Sequence, residues 1–97
     1  MLGVIFIKVV INEKAKKLLK ENQRDIIIEL KGWNNWNCST ELKPSVSIGT
    51  PKNTNAFDFF EVEKYNIYVS RMIPEDAFVE ISSAIFYGLE YLIAYIK

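Results

Sequence analysis

The stretch that decides the fold is Ser82-Ser83-Ala84-Ile85-Phe86-Tyr87-Gly88-Leu89-Glu90-Tyr91-Leu92-Ile93-Ala94-Tyr95-Ile96-Lys97. Wound as a helix, it sets Ser83, Tyr87, Glu90, Ala94 and Lys97 on one stripe, with Ile85, Leu89, Leu92, Ile93 and Ile96 opposite. Drawn out, it is a long strand element broken at Gly88, after a strand over residues 79–81. Periodicity favours the helix, while the aromatic and β-branched content favours strands. On these residues alone the choice stays open.

Working outward, residues 4–11 are rich in Val and Ile and read as a strand buried on both faces. Asn12 supplies an N-cap side chain, and Glu13 suits the positive end of a helix dipole. Over residues 13–22, Ala15, Leu18 and Leu19 share one face, with Lys14, Lys16, Lys17, Lys20 and Glu21 outside, which predicts a helix. Residues 25–31 (DIIIELK) predict a second strand, bounded by Gly32. Residues 32–40 (GWNNWNCST) are full of turn-tolerant side chains and read as a loop. Residues 44–50 alternate, with Val46 and Ile48 on one face and Ser45 and Ser47 on the other. Strands over 57–62 and 67–72 are joined by a tight connection at 64–66, and Pro74 suits the first turn of a helix over 74–77. The expected fold is α+β: a small mixed β-sheet with one N-terminal helix after the first strand, in a single domain over residues 1–97.

Charge and composition narrow the function. The chain carries 12 basic and 12 acidic side chains, so its net charge is zero. The signs lean basic over residues 1–31 and acidic afterwards, by about three charges each way, which is far from a nucleic-acid footprint. No apolar run approaches the ~20 residues of a membrane span, and residues 4–11 lack the basic lead-in of a secretory signal. There is no histidine, hence no ordinary general base near neutral pH and no imidazole for a metal. The one cysteine, Cys38, rules out a disulfide within the chain, and a structural zinc site needs about four such ligands. A cytoplasmic, non-enzymatic domain that binds neither nucleic acid nor membrane is expected.

The candidate site is the loop around Cys38. Cys38 is either an inert thiol or a working one activated by a nearby cation, and Lys31 and Lys43 are the nearest cations in sequence. Trp33 and Trp36 either anchor the loop on the core or, with Asn37, present an aromatic patch to a partner. Glu61/Glu63 and Glu75/Asp76 read as surface charge. Tyr87, Tyr91 and Tyr95 are expected to pack an edge or a dimer surface.

The order strand, Lys-rich helix, strand, cysteine loop and further strands resembles the HesB/IscA-like domain, the family of the A-type iron–sulfur carriers. Residues 9–19 (VVINEKAKKLL) resemble its strand running into a helix of the form I-T-x-x-A-x-x-x-L. Residues 28–32 (IELKG) match its approach to the first cysteine, and 62–69 (VEKYNIYV) resemble its G-V-K-V-Y-V hairpin. The resemblance implies strands over residues 85–96. It also implies three cysteine ligands, of which Cys38 matches the first, while residues 85–97 contain no Cys-x-Cys pair. A bacterial branch of such proteins has adjacent cysteines, or cysteine and selenocysteine, in this loop, where Asn37 stands in place of the first. Clusters are held by thiolates, usually four. The expectation is therefore a domain without a cofactor that acts through protein contacts, as a homodimer or with an unidentified protein. The alternative is a metal or redox accessory working through Cys38.

Overall fold

Ile26, Ile27 and Ile28 are stiff at Cβ and prefer a pleated surface to a helix. They lie in the first part of Asp25–Asn34, the strand paired on both sides in the larger sheet. The computed structural model describes residues 7–34 and 40–97, without the side chains of 33, 34 and 40–42. Its elements run β1 (Lys8–Ile11), α1 (Glu13–Leu18), β2 (Asp25–Asn34), β3 (Thr40–Ile48), β4 (Phe57–Val62), β5 (Tyr65–Ser70), β6 (Phe78–Phe86) and β7 (Leu89–Ile96). A single 3-10 turn, Thr54–Ala56, precedes β4.

The strands form two mixed sheets, ordered β3-β2-β5-β4 and β1-β6-β7. β2 is antiparallel to β3 and parallel to β5, and β1 is parallel to β6. The core lies between the sheets. Ile26, Ile28, Ile67 and Val69 line one side, and Val9, Ile11, Val79 and Ile81 line the other. Each fully buried residue of this kind contributes about 1.5–3 kcal/mol. Asp25 fixes the register of the larger sheet: its carboxylate accepts from Asn66 Nδ2 (2.8 Å) and Thr50 Oγ1 (3.2 Å), and its carbonyl accepts from the Gly49 amide (2.8 Å).

The expected α+β fold is overturned. Strands account for 58% of the structure, so the domain is mostly β, and there are two sheets rather than one. The helix is capped by Asn12 as expected, its Oδ1 accepting from the Ala15 amide at 3.0 Å, but it ends at Leu18 rather than near Asn22. Leu19 turns to extended backbone and packs against the core, after which residues 20–23 close a turn through the Gln23 amide and the Lys20 carbonyl. Burial of Leu19 outweighs a further helical turn. Residues 74–77 make a turn, closed by the Ala77 amide on the Pro74 carbonyl, and not a helix. The last stretch is a hairpin, with β6 and β7 paired from Val79/Ile96 to Phe86/Leu89. Its apolar residues satisfy a helical pattern because both faces of the hairpin are apolar.

Candidate functional site

Within the expected loop over residues 32–40, the described residues 32–34 and 40 are strand. β2 runs on to Asn34 and β3 begins at Thr40, with Trp33 paired opposite Glu41. Trp36, Asn37 and Cys38 lie outside the described residues. β5 accompanies β2 only over residues 25–28, so the outer part of the β2–β3 hairpin has no third strand. That outer part brings Lys31 opposite Lys43, the two cations singled out by sequence. Among the described residues no group of three or more His, Cys, Asp or Glu side chains could hold a metal, and no helix is long and apolar enough to cross a membrane.

β3 is an edge strand, and Pro44 blunts it. The Gly49 amide bonds to the Asp25 carbonyl, and bonded pairs alternate from there, so Leu30/Pro44 is a non-bonded pair. The missing N–H of Pro44 therefore falls on the free side of β3 and hinders strand addition there. Between this edge and β7 lies a cleft of about 530 Å³, lined by Lys31, Pro44, Val46, Ile48, Tyr91 and Ile93 among others.

The β6–β7 hairpin is the more unusual surface. Its turn is Tyr87-Gly88, closed by the Phe86/Leu89 pair, with φ 51° at Tyr87 and 77° at Gly88. Positive φ at both central residues is the type I′ pattern, which suits the right-handed twist of a hairpin. Asn, Asp or Gly would hold the first position at less strain, and a side chain such as Tyr costs about 1–2 kcal/mol there. Yet Tyr87 is 90% exposed, so no burial within the monomer offsets that strain. Its ring meets Phe86 edge-on at 4.4 Å. Around it Ile85 (68%), Phe86 (61%) and Leu89 (73%) are exposed, and Tyr91 and Tyr95 continue along the outer face of β7.

Beside this tip, α1 and the hairpin enclose a groove of about 460 Å³. Leu18 and Ile85 supply apolar walls, and Lys14, Lys17 and Glu90 the charged rim. None of these three charged side chains has an ion-pair partner among the described residues. Lys16, by contrast, turns away to Glu63 in the β4–β5 turn, at 2.8 Å. The hydrogen bond that Lys16 donates to Glu63, helped by the one it donates to Glu13, raises its pKa from 10.5 against the opposing pull of desolvation. The acidic pairs behave as expected: Glu61, Glu63, Glu75 and Asp76 are all exposed.

Sequence reasoning found Tyr87, Tyr91 and Tyr95 but missed Ile85, Phe86 and Leu89. The available signal was the uncharged apolar run 85–89 on both sides of a Gly. The groove had no sequence signal, because it joins residues about seventy positions apart. Residues 7–97 match the family model described as "CC/Se motif containing family". No curated protein and no solved structure matches the chain.

Proposed function

The chain belongs to the CC/Se motif containing family, and from that membership we propose that it is a non-enzymatic member that works through protein contacts rather than by holding an iron–sulfur cluster. The exposed apolar β6–β7 hairpin carries this reading. A monomer of this size rarely leaves so contiguous a patch to water unless a partner covers it. Composition supports the rest, since one thiol and no imidazole leave a single copy short of cluster ligands. Further kinship with the HesB/IscA-like domains rests on the sequence resemblance of residues 9–19, 28–32 and 62–69. A reducing, cytoplasmic setting suits the lone thiol.

A second reading makes Cys38 the working atom of a metal or redox accessory, and the motif in the family's description favours it. The family is described by paired residues, whereas this chain has Asn37-Cys38 and no other cysteine. Anaerobic reconstitution with iron and sulfide separates the two. The protein-contact reading expects no visible absorption from wild type or Cys38→Ser, and an ordinary alkylation pKa for the thiol. A chromophore present in wild type and absent from Cys38→Ser would overturn it in favour of the second reading.

A further inference from the structure

The apolar hairpin tip and the groove beside it lie on one side of the molecule, since Ile85 belongs to both. Resting on the protein-contact reading, we propose that the partner at this site is a second copy of the chain. The contact is isologous, with Tyr87 of each copy seated in the groove between α1 and the β6–β7 hairpin of the other.

Three observations on this surface converge. The first is area. Strand alternation puts Ile85 on the groove face and Tyr91 and Tyr95 on the opposite face, so a tip-first contact buries the tip itself. The exposed parts of Ile85, Phe86, Tyr87 and Leu89 amount to roughly 580 Å², taking ~200 Å² for each large apolar side chain. A stable interface takes about 800 Å² from each partner. The tip therefore supplies most of a half-interface, and the groove walls at Leu18 and Ile85 add to it.

The second is shape. A cavity of ~150 Å³ holds a benzene ring, so a groove of about 460 Å³ has room for the Tyr87 ring and part of its neighbour. The protrusion and the recess are a few residues apart on one hairpin. A two-fold axis between them engages both at once, and a closed dimer leaves no end to propagate.

The third is charge. The groove rim carries Lys14 and Lys17 on the helix side and Glu90 on the hairpin side, unpaired among the described residues. A two-fold copy can bring Glu90 of each protomer to the lysines of the other. The tip itself, residues 85–89, carries no charge to be buried unpaired. The strained Tyr87 backbone fits the same picture, because a rigid turn presents the ring with little entropy left to lose on docking.

Sedimentation equilibrium of the full chain from about 1 to 500 µM, with circular dichroism of every variant, tests this. Wild type is expected to dimerise. Tyr87→Asp, which the turn backbone tolerates, is expected to raise the dissociation constant at least about thirtyfold while remaining folded. Leu89→Asp serves the same purpose should Tyr87→Asp not fold. Glu90→Lys is expected to weaken the dimer, and Lys14→Glu with Lys17→Glu in the same chain to restore it. A wild type monomeric throughout overturns the proposal, as does a dimer indifferent to both tip variants. A monomer that co-sediments with anionic lipid vesicles overturns it in favour of a membrane. If the dimer fails while iron–sulfide reconstitution stays colourless, the protein-contact reading stands with another partner. A Cys38-dependent chromophore removes that reading whatever the mass.

Discussion

The β4–β5 and β6–β7 hairpins solve the same local problem in opposite ways. Each closes on a two-residue turn whose first residue is a non-glycine at positive φ, Glu63 (56°) in one and Tyr87 (51°) in the other. In β4–β5 the turn is Glu63-Lys64, and Glu63 is tied to Lys16 of the helix. The strands behind it are anchored by Tyr65, Ile67 and Val69, all buried. In β6–β7 the turn is Tyr87-Gly88, no ion pair ties it to another element among the described residues, and burial fades along the strands from Val79 and Ile81 to Ile85 and Phe86. A strained turn repaid by an internal ion pair serves the fold. One that points an aromatic ring into water is the feature on which the proposed contact rests.

Five substitutions bear on this contrast. The largest effect is at Ile67, wholly buried behind the tethered turn. Ile67→Ala is expected to cost about 2–5 kcal/mol in urea unfolding. Leu89→Ala on the exposed hairpin is expected to stay within about 0.5 kcal/mol when measured at concentrations where the chain is monomeric. Comparable losses at both sites would erase the distinction between an anchored and a free hairpin.

A middle-sized effect comes from the turn itself. Gly88 has open space where a Cβ would sit, so Gly88→Ala meets no clash and its cost is backbone strain alone, about 1 kcal/mol. Tyr87→Asn relieves the same kind of strain and is expected to stabilise the monomer by up to about 1 kcal/mol while weakening the dimer. Stability and association moving together in Tyr87→Asn would contradict the idea that the ring is placed for a partner.

The smallest effect is at Lys16. Its pKa is raised in the folded chain, so the contribution of its contact with Glu63 is fully present below pH 10.5 and is lost as pH rises through the higher folded value. The melting temperature of wild type is expected to fall slightly more than that of Lys16→Met across that alkaline window. Because both partners are solvent-accessible, added salt should shrink the difference.

Much of the architecture was legible in local pattern. The Asn12 cap, the alternating burial of β5 and the break at Gly88 all follow from side-chain type at short range. What misled was competition at longer range. Leu18 and Leu19 predict a helix running to residue 22, but the core claims Leu19 and the chain turns. Gly32, Trp33 and Asn34 look like loop residues, yet pairing with Leu42, Glu41 and Thr40 draws them into strand. The closing stretch was ambiguous because an exposed apolar surface and an apolar surface buried in the core look alike in sequence. The groove was beyond reach, since only the fold brings Lys14 and Lys17 to Glu90.

The parallel pairing of β1 with β6 has a consequence for how the domain comes together. Lys8 meets Phe78 and Ile11 meets Ile81, so the smaller sheet cannot close until some seventy residues of intervening chain are available. β6 and β7, joined by two residues, close a far shorter loop and can zip first once both are present. On a growing polypeptide β1 waits unmatched until residues 78–81 have been made. Closure of the β1 edge then depends on the first four residues of β6, and a deletion among them would shift its register.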